Sequence, residues 1–411
     1  MCAVPSSPCR PAGGTGSDVS LVLRDVTVVD PSREGSTRHD LVVGADGFIS
    51  QLAAPGRGIA ERTVEASGLV VFPGLIDCHV HLCFDPTRSP EDWIGDASDD
   101  ELAAMVREHG RATLAAGVTT VRDLGSRGDV VRHYSEEVET GAVIGPRVIS
   151  AGPVVTVPNG HCFFVGDEVR NNDHLVKVVA QHVSAGDSWV KVMVTGGALT
   201  STSDPDVLQF HLREVTLVVQ LARAAGLATA AHVLTSQGAE IAISAGVNTV
   251  EHGVGATLDQ LRRMRDGGQA LVPVLTPSAL LLRDDPDGTS QHVVRLRAIV
   301  ERLRSTVRQA VASGVDVLVG TDAGCPSVPH GRGVLEEITL LESLGLPRRA
   351  ALVAATGGAA AGIGLRGEGR LAVGSRADLL LLDGDPMLNL DALAAPIAVL
   401  AKGRTVHPRD G

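Results

Sequence analysis

Short apolar runs separated by turn residues occupy both ends of the chain. The runs cover residues 19–23, 26–29, 41–43, 69–71, 369–383 and 397–404. Runs of this length, bounded by glycine, proline and aspartate, are typical of β-strands. Neither end has enough strands for a stable sheet alone. We therefore predict that residues 19–72 and 366–408 combine into one small β-sandwich domain.

Between residues 73 and 365, apolar strand-like runs alternate with helical patterns. The eight strand candidates are residues 75–80, 119–122, 147–150, 189–193, 228–232, 248–251, 270–274 and 315–319. Ser98 and Glu101 have the spacing of a capping box, and Gly117 is a helix stop before the second strand. Eight strand and helix repeats predict an α/β fold with a (β/α)8 TIM barrel. A doubly wound sheet is disfavoured because no glycine-rich phosphate turn follows these strands.

Charge and hydropathy exclude several classes of partner. The 411 residues carry a net charge of -12 without a basic stripe, which argues against binding nucleic acid or an anionic membrane. No run of eighteen apolar residues occurs, so we expect no membrane span. Residues 1–18 are rich in proline, glycine and serine and predict a disordered leader without a secretory signal.

The six cysteines are scattered and show no paired spacing. They are Cys2, Cys9, Cys78, Cys83, Cys162 and Cys325. This distribution is typical of reduced thiols in a cytoplasmic protein. The last four lie close to candidate site segments, so a metal ligand or nucleophile is an alternative to simple packing as small apolar groups.

Candidate chemistry begins with His79 and His81, two residues apart at the end of an apolar run. Side chains at such positions of a strand share one face, so both imidazoles can bind one ion, although a solvated strand face has the same pattern. Lys191, His232, His252 and Asp322 also lie on or after strand candidates. Each has a structural alternative, such as a buried core histidine or a helix cap. Their shared placement on five strands favours a single site at the C-terminal mouth of a barrel.

These segments resemble the amidohydrolase superfamily, in particular its imidazolonepropionase-like and Xaa-Pro dipeptidase-like members. The matching segments are residues 73–81, 117–125, 191–197, 250–253, 320–324 and 374–379. The resemblance covers nearly the whole chain beyond residue 18. It is specific for the family and leaves the substrate open.

The resemblance implies a binuclear metal centre. One divalent ion would be held by His79, His81 and Asp322, the second by His232 and His252, and both by Lys191 as a carbamate formed with CO2. A carbamate supplies two anionic oxygens, whereas an ammonium between two cations is strongly disfavoured. Zinc is the expected metal. Mononuclear deaminases of the superfamily lack the bridging lysine, so Lys191 favours a binuclear hydrolase.

The resemblance also implies a mechanism and substrate contacts. A hydroxide between the metals would attack an amide carbonyl, and Asp322 would carry its proton to the leaving nitrogen. His161 lies in a loop that resembles a Gly-Gly-His-Gly segment, with Asn159 and Cys162 replacing the outer glycines. His161 and His330 would bind substrate, the alternative being solvated loop histidines. Arg122 is expected to pair with Asp123.

The expected function is metal-dependent hydrolysis of a carbon–nitrogen bond in a small molecule such as a dipeptide or an N-acyl amino acid. A cyclic amide hydrolase, acting on a lactam or imidazolone, or a heterocycle deaminase is an alternative. A catalytically silent binding protein that has kept the fold is the alternative from another class. Members of the family often form oligomers, so a homo-oligomer stays open.

Overall fold

The computed structural model describes residues 19–284 and 291–406, which form a mixed α/β structure. Its strands are β1 Leu21–Val28, β2 Thr37–Val43, β3 Ile49–Ala53, β4 Arg62–Glu65, β5 Val70–Pro73, β6 Leu75–Val80, β7 Val118–Asp123, β8 Arg147–Ser150, β9 Val154–Thr156, β10 Gly166–Glu168, β11 Trp189–Met193, β12 Ala228–Val233, β13 Thr249–His252, β14 Ala270–Val272, β15 Asp316–Val317, β16 Leu379–Leu382, β17 Ala398–Ala401 and β18 Arg404–Val406. The predicted leader and residues 407–408 of the predicted β-domain lie outside the described residues.

Eleven α-helices lie in the described part of the chain. They are α1 Asp99–Ala115, α2 Val130–Thr140, α3 Asn172–Ser184, α4 Leu212–Ala224, α5 Ser236–Ala245, α6 Leu258–Asp266, α7 Thr276–Asp284, α8 Gln291–Ser313, α9 Gly333–Ser343, α10 Arg348–Ala354 and α11 Gly357–Gly362. The predicted capping box of α1 is confirmed, because Ser98 accepts from Glu101 N while the Glu101 carboxylate accepts from Ser98 N. Among the described helices, none combines the length and apolar character needed to cross a membrane.

Strands from both ends of the chain share one sheet of eight strands. Its order is β18-β17-β16-β5-β1-β2-β3, with β4 paired to β1. Strand β5 joins the two ends, because it pairs in parallel with β1 and antiparallel with β16. A β-sandwich consists of two packed sheets, whereas these strands form one hydrogen-bonded sheet. The predicted β-sandwich and its boundaries therefore remain predictions.

The run of four leucines in β16 shows how this sheet is buried on both faces. Leu380 and Leu382 enter the large hydrophobic cluster of the middle of the chain, while Leu379 and Leu381 enter a second cluster with residues of β1 and β2. The alternation follows from the two-residue period of a strand. A strand buried on both faces reads as a continuous apolar run.

Parallel strands form two further sheets in the middle of the chain. One has the order β6-β7-β8, and the other has the order β10-β9-β11-β12-β13-β14-β15. The hydropathy pattern did not predict β9, which pairs with β11 where β8 was expected. Gly152, with a φ of +61°, and Pro153 separate β8 from β9. The third predicted strand is thus β8 alone, and the additional strand β9 lies beside β11 in the other sheet.

Backbone hydrogen bonds also connect these two sheets. Ser188 N donates to Ser150 O at 3.3 Å, which joins the start of β11 to β8. Cys78 N donates to Val319 O at 2.9 Å, which joins β6 to the residues after β15. The strand pairing itself does not establish a closed cylinder, so the TIM barrel remains a prediction at this point.

Candidate metal centre and active site

Side chains from the ends of five parallel strands line one cavity of about 300 Å³. The predicted ligand residues on its wall are His79, His81, Lys191, His232, His252 and Asp322. His79 belongs to β6, Lys191 to β11 and His232 to β12, and His252 is the last residue of β13. Parallel strands point their C-terminal ends to the same side of a sheet, so residues far apart in sequence meet there.

The distances within this group are short enough for a shared ion. Asp322 Oδ1 lies 3.5 Å from His79 Nε2 and 3.2 Å from His81 Nε2. One potential ligand atom from each of His79, His252 and Asp322 lies within 4.8 Å of the other two. The His232 and His252 rings are 4.7 Å apart between centroids. The cluster therefore brings imidazole and carboxylate donors together at one point, as a divalent-ion site requires.

Hydrogen bonds to their other ring nitrogens orient three of the histidines. His79 Nδ1 lies 2.8 Å from Glu251 Oε2, and His81 Nδ1 lies 2.9 Å from the carbonyl oxygen of Gly125. His232 Nε2 lies 3.1 Å from the carbonyl oxygen of Gly196. Each acceptor requires a proton on the nitrogen it faces and leaves the other nitrogen as a lone-pair donor.

Burial also sets the charge of these groups. Burial lowers the pKa of His79 to about 4 and that of His252 to about 3, so both rings are neutral at pH 7. Burial likewise lowers the pKa of His232 well below its usual value. The pKa of His81 is raised, since the effect of burial is outweighed by the hydrogen bond and charge of Asp322. Neutral imidazole is the form that binds a metal.

Lys191 and Asp322 supply the charges of the cluster. Lys191 Nζ is buried and has no hydrogen-bond partner among the described residues. A buried ammonium without a partner is costly, and burial lowers the pKa of Lys191 to about 8. Burial would raise the pKa of Asp322, but His79 and His81 hold it well below the usual value. An unpaired Lys191 beside neutral imidazoles and a carboxylate fits a site completed by divalent cations.

Several non-glycine residues of the cavity wall have left-handed backbone conformations. The φ angles are +62° at His252, +58° at Asp322, +56° at Cys162 and +58° at Val274. Such conformations cost energy for residues with a side chain and cluster at functional sites. At His252 and Asp322 the unusual backbone turns the side chain from the strand end toward the cavity.

A fully buried ion pair lies beneath the cluster. Arg122 Nη2 donates to Glu251 Oε1 at 3.0 Å. The expected pairing of Arg122 with Asp123 is wrong, because Asp123 instead accepts from the backbone nitrogens of Leu82 and Gly125. Neighbouring residues of a strand point to opposite faces, which separates these two side chains. Sequence reasoning also missed Glu251, although a glutamate inside the buried strand β13 is a signal for a polar partner.

The two predicted substrate-binding histidines lie in different surroundings. His161 lines the cavity, with its ring centroid 4.6 Å from that of His232 and its Nδ1 3.2 Å from Thr200 Oγ1. The His330 ring stacks on His109 at 4.0 Å, its Nε2 lies 3.1 Å from the carbonyl oxygen of Phe84, and it is not among the lining residues. Both substrate roles remain predictions, and the placement favours only that of His161.

The four cysteines within the described residues are free and buried. Cys162 and Cys325 line the cavity, whereas Cys78 and Cys83 do not. Burial raises the thiol pKa at Cys78 and Cys162, which keeps both thiols protonated at neutral pH. Packing as small apolar groups is consistent with these surroundings.

Comparisons with known proteins indicate the family to which the chain is similar. The model of the amidohydrolase family matches residues 70–408. Ochratoxinase from Aspergillus niger is 25% identical over 365 residues, which are 80% of this chain and 73% of that protein. Imidazolonepropionase from Syntrophobacter fumaroxidans is 27% identical over 378 residues, 81% of this chain and 79% of that protein. The crystal structure of an Xaa-Pro dipeptidase with bound methionine has a TM-score of 0.85 at 25% identity, covering 94% of this chain and all of that one.

Proposed function

The chain belongs to the amidohydrolase family, and on that premise we propose that it is a binuclear metal enzyme that hydrolyses an amide-type bond of a small molecule. Its family and its similarity to ochratoxinase and imidazolonepropionase make it a hydrolase acting on carbon–nitrogen bonds. The observation that carries the finer proposal is the buried Lys191, whose Nζ has no hydrogen-bond partner among the described residues, beside His79, His252 and Asp322 in one cavity.

In this proposal His79, His81 and Asp322 hold one divalent ion, and His232 and His252 hold the other. Lys191 contributes to both as a carbamate. Only a neutral amine reacts with CO2, and burial brings the Lys191 pKa to about 8, which makes that form accessible near neutral pH. Asp322 lies against both His79 and His81, which supports its assignment to their ion. Zinc is the proposed metal, because imidazole and carboxylate donors bind it tightly.

Divalent ions supply an acidified water and a polarised carbonyl oxygen when they are bound. The chain itself contributes a proton carrier and a hydrogen-bond donor for the substrate. Asp322 is ionised at pH 7 because its pKa is lowered. Its carboxylate would accept the proton of the attacking water and deliver it to the leaving nitrogen, which would otherwise depart as an unstable amide anion. His161, neutral because burial lowers its pKa to about 3, can donate a hydrogen bond to the substrate.

The cavity wall favours a substrate with an apolar part. Its apolar lining includes Met193, Leu199, Leu234, Val254, Ile299 and Leu303. A volume of about 300 Å³ is at the small end of ligand pockets and suits a dipeptide or an N-acyl amino acid with an apolar side chain. The similarity to an Xaa-Pro dipeptidase structure supports the dipeptide, and the similarity to imidazolonepropionase supports the cyclic amide as the alternative.

A hydrolysis screen tests this function. Zinc-reconstituted protein is incubated with dipeptides, N-acyl amino acids and lactams, and amine and ammonia release are measured separately. We expect amine release, whereas ammonia release would favour the deaminase. The absence of turnover on all three classes, with two ions bound per chain, would favour the silent binding protein.

Asp322→Asn is the matched variant for the mechanism. The amide keeps the shape of the carboxylate but cannot carry the proton. We expect a loss of kcat of about 100- to 10,000-fold with the metal content of the wild-type protein. Near-normal turnover would contradict the proposed role of Asp322.

The barrel and the β-domain are part of the same proposal. The two parallel sheets close into a TIM barrel through the contacts between β8 and β11 and between β6 and the residues after β15. The strands of the eight-stranded sheet belong to the β-sandwich domain. Hydrogen bonds at both junctions support this closure. A cytoplasmic location and a homo-oligomer remain predictions.

A further inference from the structure

Glu251 connects a candidate ligand to a charged group deep in the protein. It is fully buried in β13, and its Oε2 lies 2.8 Å from His79 Nδ1. Its Oε1 accepts from Arg122 Nη2 and from the hydroxyl of Thr249. Both carboxylate oxygens of Glu251 are therefore occupied, one by His79 and the other by Arg122 and Thr249.

Arg122 is held in place from three further directions. Its Nε donates to the carbonyl oxygen of Cys78 at 2.6 Å, and its Nη1 donates to Thr249 Oγ1 at 3.0 Å. The guanidinium lies 4.3 Å from the centroid of the Trp189 ring. The side chain is fully buried and links β6, β7, β11 and β13. Its planar fork has donors in the directions that the partners require, which a lysine could not reproduce.

A buried ion pair of this kind is not explained by stability alone. Desolvation of two charges often cancels their attraction, so an apolar pair of similar volume is commonly as stable. The ion pair has an effect that an apolar pair could not have, because its carboxylate fixes the proton of His79 on Nδ1. His79 Nε2 is thereby left unprotonated, with its lone pair available for a metal ion on the side of Asp322 and the cavity.

The two histidines of the His79 and His81 pair therefore have unequal partners. His79 faces a carboxylate, while His81 faces the neutral carbonyl oxygen of Gly125. A carboxylate partner makes the imidazole the more basic ligand and restricts its ring more strongly. Because of this difference in partners, His79 is expected to be the stronger metal ligand of the two histidines.

We propose that Glu251, held by Arg122, is a positioning residue that fixes the ring and tautomer of His79 and so sets the affinity of the site for its divalent ion. This inference rests on the proposed metal-dependent function. It adds to that function a dependence on an ion pair that never touches the substrate. Glu251 acts through His79, and Arg122 acts through Glu251.

Glu251→Gln is the test, with Glu337→Gln as the matched control. Glu337 is an equally buried glutamate that accepts from the backbone of Leu275 and Thr276, and no hydrogen bond joins it to a cavity histidine within the described part of the chain. Zinc affinity is measured by competition with a chelator, and the absorption spectrum of the Co²⁺-substituted protein reports the ligand field. We expect about 10- to 100-fold weaker zinc binding and an altered spectrum for Glu251→Gln. Glu337→Gln should bind zinc within about twofold of the wild-type protein, as expected for a site away from the ligands.

Thr249→Val is the second variant, and it tests the same role if Glu251→Gln does not fold. It removes only the hydroxyl that contacts both Arg122 and Glu251, and we expect a few-fold loss of zinc affinity. Wild-type affinity in the variant that folds, or an equal loss in Glu337→Gln, would overturn the positioning role. A wild-type protein that binds no zinc would instead overturn the proposed function, and wild-type zinc binding without hydrolysis would overturn only the catalytic part of it.

Discussion

Two clusters in this protein each contain an arginine, a carboxylate and a histidine but lie in different places. The upper cluster, Arg122, Glu251 and His79, lies beneath the cavity. The lower cluster consists of Arg132 on α2, Asp187 before β11 and His182 on α3. There, Asp187 accepts from Arg132 Nε at 2.8 Å and lies 2.7 Å from His182 Nδ1.

The difference lies in what the second nitrogen of each histidine faces. His79 Nε2 faces Asp322 and the cavity, whereas His182 Nε2 is buried without a partner among the described residues. The lower cluster therefore connects two helices to the start of a strand, and His182 is not among the described residues that line the cavity of the candidate metal centre. An Arg–carboxylate–His arrangement is not by itself a functional signature, because its role depends on the surroundings of the remaining imidazole nitrogen.

Replacing the histidines gives the largest expected contrast. His79→Asn removes a proposed ligand, and we expect kcat/KM to fall by more than about 100-fold, beyond the effect of losing an outer partner. His182→Asn should keep kcat/KM within a few-fold of the wild-type protein, measured on folded protein. A comparable loss of activity in both variants would remove the functional distinction between the clusters.

Asp187→Asn should affect stability instead of catalysis. The amide retains the shape but loses charge-assisted hydrogen bonds to Arg132 and His182, which are worth about 2 to 3 kcal/mol in total. Urea unfolding at pH 7 measures this loss. The zinc affinity should be unchanged. Weaker zinc binding would show that the lower cluster also supports the metal site.

The stability difference between the wild-type protein and Asp187→Asn should depend on pH. Burial would raise the pKa of Asp187, but His182 and Arg132 lower it below the usual value. A carboxyl group with a lowered folded-state pKa stabilises the protein above its unfolded pKa of about 4, and this contribution is lost as the pH falls through the folded-state value. Unfolding curves between pH 7 and pH 3 should therefore converge at the acidic end. A constant difference would contradict this origin.

An exposed pair provides the smallest expected effect. Arg107 Nη2 lies 2.5 Å from Glu137 Oε1, but the two side chains are 44% and 31% exposed. Solvent screens such pairs, so Arg107→Ala should change the free energy of unfolding by less than about 1 kcal/mol. Thermal unfolding measures this change. A loss as large as that of Asp187→Asn would mean that burial is not what distinguishes the clusters.

Local sequence patterns predicted much of the fold. The bounds of β6, β8 and β11 match the predicted runs, and the capping box of α1 forms as its spacing indicates. Strand periodicity and helix capping depend on residues a few positions apart, so a single sequence contains the information. The additional strand β9 was missed, because it spans only Val154–Thr156 and follows a break at Gly152 and Pro153.

Local patterns in the sequence were sufficient to identify the candidates on or just after predicted strands, which are His79, His81, Lys191, His232, His252 and Asp322. The partners of these residues follow from the folded chain instead. Glu251 is 172 positions from His79, and Arg122 is 129 positions from Glu251. Such pairs depend on the order and register of strands, which no local pattern encodes. The position of His330 and the pairing of Arg122 also depend on the tertiary structure, because a side chain's direction is set by the elements packed around it.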